Sequence, residues 1–232
     1  MSKRSDIIDP AEAPRAGYGL VYSEVLGWID LGHATGGDIR SLLAQMQTGE
    51  NGQEPYYAVT YFQSMYRNRY LGAGVHMRWR IKKGTPIQTR HSIALAMMMR
   101  TAVRFESLQA SVPFSWTTDS GFSAEDLVSD LLGFYRTVRP MNYFPHLKLV
   151  TREEALNRWD HYGPVGSYKN RIFRPLLFPA PSEKVSRPIY GQLPDFMRDI
   201  QPFNNFSDDT VRIITNNGTH MNIAERPLKE FR

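Results

Sequence analysis

The clearest pattern along the chain is VHMRWRIK, where Val75, Met77, Trp79 and Ile81 alternate with His76, Arg78, Arg80 and Lys82. A period of two puts one set on each face of a strand, so the segment reads as a half-buried strand with a basic outer face. The preceding YYAVTYFQSMYRNRY is rich in aromatic and β-branched residues and also reads as strand, with LGAG (71–74) as the turn. Elsewhere the period lengthens. Ile39, Leu42, Leu43 and Met46 predict a helix over 38–47, and HSIALAMMMRTAVRFESLQA (91–110) is the strongest helical segment. SAEDLVSDLLGFYRTV (123–138) is a second, with Ser123 and Asp126 spaced as a capping box. A third covers 151–159, with Thr151 as cap and acids in its first turn. Tyr18 to Ile29 reads as an extended entry, Asp30 as a cap for the helix beyond it, and VRIITNN as a late strand.

Prolines bound this pattern. Pro10, Pro14 and Gly17 make 1–17 an arm without regular structure, and from Pro164 onward proline recurs to Pro202. The expectation is an α+β fold: a helix-rich central body (18–160), a small antiparallel β element, and a long irregular Pro-rich tail (161–232) wrapped on the same domain.

Composition narrows the chemistry. Of 232 residues, 41% are hydrophobic and 22% charged, a globular balance. There is no cysteine, which excludes a thiol nucleophile, a thiolate zinc site and disulfides. A net charge of +5 and a pI of about 9.4 favour an anionic partner such as a wall polymer, or a protein partner. The cations are dispersed, without a tail-like block, so nucleic acid is the weaker expectation. No apolar leader and no run of 18 apolar residues is present. The chain is therefore expected to be made as a soluble cytoplasmic protein and, if it works outside, to leave by a signal-independent secretion system.

Three places put polar groups in apolar company. By helical arithmetic Glu106 shares a face with Met99, Ala102, Val103 and Ala110, away from Arg100 and Arg104. A carboxylate on such a face is paired, binds a metal, or has a raised pKa. In the second helix Asp126, Ser129, Asp130 and Gly133 form a small acidic stripe suited to close approach of another element, with Glu125 just before it. Capping accounts for Asp126 and the helix dipole for Glu125 equally well. In GWIDLGH, Asp30 and His33 stand three apart, either as an oriented imidazole or metal ligand, or as satisfied core. The chain carries no HExxH, GxSxG, P-loop or Rossmann fingerprint.

These places also carry a resemblance. GLVYSEVLGWIDLGHA, RFESLQAS and SGFSAEDLVSDLLGFY resemble, in order and approximate spacing, motifs of the bacterial domain of unknown function 4056 family. The resemblance covers 19 to about 138 and implies that Asp30, His33, Glu106, Glu125, Asp126 and Ser129 fall on motif positions. Three departures are visible: Phe105 where the family has His, Asp130 where it has Asn, and Ala34-Thr35-Gly36-Gly37 where an Arg is expected. Many members resemble envelope lipoproteins.

Together these features predict a hydrolase of a cell-envelope polymer, peptidoglycan foremost, delivered as an antibacterial effector. Glu106 is expected as general acid/base and His33, oriented by Asp30, as its partner. Glu125, Asp126 and Ser129 complete the set. His33 and Glu106 are the candidate ligands should a divalent metal such as zinc take part. The alternative is a non-enzymatic binding or structural component whose polar cluster is a core network.

Overall fold

The computed structural model describes residues 2–68, 71–109, 122–181 and 187–222. In chain order the elements are β1 (Leu20–Ser23), β2 (Gly27–Asp30), α1 (Gly37–Glu50), β3 (Tyr56–Asn68), β4 (Leu71–Lys82), α2 (Ile87–Gln109), α3 (Asp126–Val138), α4 (Phe144–Leu147), α5 (Arg152–Tyr162), β5 (Leu176–Leu177), β6 (Ile189–Tyr190) and β7 (Val211–Asn222). The class is α+β. The chain divides into two compact units, Met1–Gly36 with Val112–Asp199 and Gly37–Ser111 with Ile200–Arg232, where the sequence suggested one body and a tail.

The first unit holds a sheet of order β1-β2-β5-β6. The extended entry is a hairpin: β1 and β2 pair antiparallel, Leu20 with Asp30 through Ser23 with Gly27. The Ser23 hydroxyl closes its turn by accepting from the Val25 and Leu26 N–H groups, each at 3.0 Å. Gly27 is required, since its φ is +75° and a Cβ would strike the Leu176 carbonyl of β5. Tyr22, Trp28, Trp159 and Phe178 fill the core with edge-on ring contacts. The Tyr22 hydroxyl both donates to the Phe178 carbonyl (2.8 Å) and accepts from its N–H (2.7 Å), so the buried phenol is satisfied.

The N-terminal arm joins this core. Ile7 is buried and bridges Leu20, the Ile8 N–H donates to the Leu20 carbonyl, and Arg4 grips Asp160 with two hydrogen bonds. The prolines forbid long regular structure there but not seating by one apolar side chain. Thr151 caps α5 as expected: its hydroxyl accepts from the Glu154 N–H while Glu154 returns to the Thr151 N–H. Ser123 stands before α3, its carbonyl accepting from the Asp126 N–H at 3.2 Å. The helix begins later, at Asp126, and its cap position, Glu125, makes no side-chain capping bond.

The second unit holds a sheet of order β3-β4-β7. Val75, Met77, Trp79 and Ile81 are buried, as their alternation requires. LGAG is strand, not turn: Gly74 pairs with Ser64 on one side and His220 on the other. A Cβ at Gly74 would meet the Gln63 carbonyl and the His220 ring, so this glycine marks a close approach within the sheet. The late strand is β7, paired antiparallel with β4. On the outer edge of β3 the Gln45 side chain of α1 accepts from the Thr60 N–H (2.8 Å) and donates to its carbonyl (3.0 Å), as a strand neighbour would.

Candidate functional site

The first unit brings five of the six candidate residues together. The stripe of α3 is the face that meets the segment after β2. Ser129, fully buried, accepts the Asp30 N–H on its Oγ at 3.0 Å. One turn further, the Gly133 position faces the His33 carbonyl at 2.8 Å from where a Cβ would stand, and its own carbonyl lies against Gly36. Gly36 takes a left-handed φ of +65° to end the short 3-10 turn His33–Thr35. Arg136 and Thr137 continue the seam, donating to the carbonyls of Ala34 (2.7 Å) and Gly36 (3.2 Å). Asp30 does not stand at the cap of the 3-10 turn, which is Gly32, but holds the turn's entry: its Oδ1 accepts from Gly32 N–H (2.7 Å) and His33 N–H (3.2 Å).

This packing sets His33 beside α3. Its Nδ1 bonds Asp130 Oδ1 at 2.9 Å; 38% of the His33 side chain is exposed, against 8% for Asp130. Partial burial works against a charge on the ring. Asp130, by charge and hydrogen bond, together with the charges of Asp126 and Asp30, outweighs it and holds the imidazole well above its ordinary 6.5. The Asp130 contact thus favours the charged form of the ring, and Nε2 is the nitrogen that Asp130 does not engage.

Glu125 lies just before α3, in a segment pinned by Asn170, whose N–H donates to the Phe122 carbonyl (2.8 Å). The carboxyl is 1% exposed. Its Oε1 accepts from the Ser2 hydroxyl at 2.8 Å, and its Oε2, also buried, has no hydrogen-bond partner among the described residues. Burial raises its pKa. Its own backbone N–H and Ser2 pull it back, Asp30 adds to the rise, and His33 opposes it. Those last two influences tie Glu125 electrically to the Asp30/His33 turn.

Glu106 belongs to the second unit. It is 3% exposed on α2, as its helical position implied, among Thr101, Ala102 and Phe105. The buried face is turned slightly from the one expected, for Val103 is 36% exposed. Among the described residues no group of three or more His, Asp or Glu side chains is placed to hold a metal ion. No helix of the described residues is long and apolar enough to cross a membrane.

For two members of the cluster the sequence reading assigned no role at the site. Asp130 stands in the acidic stripe, one turn after Asp126, and that spacing was the available signal. Ser2 carries no local signal, because its role depends on a contact 123 positions away.

No family model, no curated protein and no solved structure matches the chain.

Proposed function

We propose that the protein is a hydrolase of a bacterial cell-envelope polymer, peptidoglycan foremost, working by proton transfer at His33. The observation that carries this reading is the partly exposed His33 ring, bonded through Nδ1 to the buried Asp130. A carboxylate fixes the ring and its charge, and Nε2–H is left to protonate a departing oxygen or nitrogen. Asp30, whose Oδ1 is spent on the turn, is the neighbouring carboxylate to take a proton from attacking water. The buried Glu125 feels the charges of Asp30 and His33. The role expected of Glu106 passes to His33, because His33 is both exposed and oriented. The motif resemblance supports a polar site at Asp30, His33, Glu125, Asp126 and Ser129, and delivery as an effector remains part of the proposal.

The test is incubation of the purified protein with sacculi and with soluble muropeptides, products being read by mass. His33→Ala should lower turnover by about 10²–10⁴-fold, the range of a lost general acid, with the fold intact. Growth inhibition should accompany direction of the protein to the periplasm and not its expression in the cytoplasm.

A second reading has its own observation. Asp30, Ala34 and Gly36 are all stitched to α3 by hydrogen bonds, and His33–Asp130 can be one more stitch in a scaffold. No product from any substrate, together with a His33→Ala chain changed only in melting temperature, would establish that reading instead.

A further inference from the structure

The outer face of the β3–β4–β7 sheet concentrates positive charge. On β4 the side chains of His76, Arg78, Arg80 and Lys82 stand on that face, roughly 7 Å apart by strand geometry. Across from them on β3 lie Phe62, Thr60, Ala58 and Tyr56, and across on β7 lie Gly218, Thr215 and Arg212. Arg80, Lys82 and Arg212 are exposed. The register sets Arg80 directly opposite Arg212. Like charges so placed repel within a sheet, so the fold bears a cost for holding them together. Asp209, bonded to Arg212 and to the Tyr56 hydroxyl, is the acid that the described contacts put beside them.

We propose that this face is the surface by which the protein holds the anionic polymer it acts on, the carboxylate-bearing peptidoglycan. The identity of the polymer rests on the proposed function; the charge argument rests on the sheet alone. The exposed cations Arg80, Lys82 and Arg212, set at strand spacing, match a chain with carboxylates at intervals. Phe62, 49% exposed beside the row, offers a flat apolar ring to a sugar face. Single-stranded nucleic acid is less well served. It needs successive rings on which bases stack, and Tyr56 already has guanidinium groups against it, Arg80 at 4.9 Å and Arg212 at 5.0 Å.

The experiment is co-sedimentation of the full chain with purified sacculi, from about 0.05 M to about 0.5 M salt. The wild type should pellet at low salt and be released at high salt. Arg80→Glu with Lys82→Glu should weaken binding by about tenfold or more; Lys82→Glu alone, a fully surface change, should act in the same direction. His33→Ala should pellet as the wild type does. Binding that ignores salt, or a folded double variant that binds like the wild type, would overturn the proposal. So would tighter binding of a single-stranded oligonucleotide than of sacculi. Soluble muropeptides keep the two claims apart: cleavage of them without sacculus binding leaves the hydrolase and removes the anchoring face, and binding without cleavage does the reverse.

Discussion

Two side chains give the site its pH behaviour. Glu125 has a pKa raised above its ordinary 4.5. Between that value and the raised one the folded state holds more protons than the unfolded state, so stability falls as pH rises. The cost is absent below about 4.5 and complete above the folded value. His33 is raised above 6.5. Its pairing with Asp130 contributes stability that is fully present below 6.5 and is lost as pH rises through the folded value. Both groups therefore tilt the curve the same way, in windows that begin at different pH. Thermal melts across pH should show Glu125→Gln melting above wild type at neutral pH and matching it in acid. Asp130→Asn should flatten the slope that begins near 6.5. A wild-type curve rising between pH 5 and 8, with both variants parallel to it, would remove this account. Activity carries a matching signature: if His33 donates a proton, turnover falls as pH rises past its raised value, and Asp130→Asn moves that fall to lower pH. The sequence disclosed Asp30, His33, Glu125, Asp126 and Ser129 because each is a polar residue in apolar company. It could not assign roles, since which carboxylate faces His33 depends on how α3 lies against the turn.

At the scale of elements, one contact organises the site. Gly133 sits inside α3, where alanine would ordinarily stabilise the helix by roughly 0.5–1 kcal/mol. Here a Cβ would stand 2.8 Å from the His33 carbonyl and 3.0 Å from the Gly36 nitrogen. The steric term wins, and Gly133→Ala should destabilise by about 1–3 kcal/mol and displace the His33–Asp130 pair, which the His33 imidazole NMR resonances would register. A melting temperature equal to or above wild type would show that the seam yields. Thr151→Ala offers a control away from the site, losing about 1 kcal/mol with the α5 cap and leaving activity alone. The elements themselves were largely legible. α1, α2 and α5 are read from periodicity and caps, and β4 from strict alternation. LGAG misled because two glycines in four residues look like a turn, while here Gly74 makes room for the His220 ring across the sheet. The start of α3 falls later than its pattern suggested, at Asp126, because Ser123 is drawn into an isolated bridge with Lys169.

At the scale of the whole chain, neither unit is continuous. Each is built from an earlier and a later stretch, so the partners that complete a sheet or a core lie far apart in sequence. Local patterns cannot reveal such pairings; they marked VRIITNN as a strand but not β4 as its neighbour. The late segment is therefore a structural part of the second unit. Ending the chain after Asp199 would remove β7 and Val211, buried at the sheet, and Phe206, whose ring packs edge-on against Trp79. It would also remove Phe203, whose N–H is bonded to the Ser92 carbonyl. β4 would keep β3 on one side and present unpaired N–H and C=O groups on the other, a template for association. Residues 1–36 and 122–181 would keep their contacts with one another. Limited proteolysis with mass mapping should then cut the shortened chain inside 37–109 well before it cuts elsewhere, and the shortened chain should associate in solution. Equal resistance across the chain would mean that β3, β4, α1 and α2 are sufficient by themselves and that β7 is an addition to a finished unit.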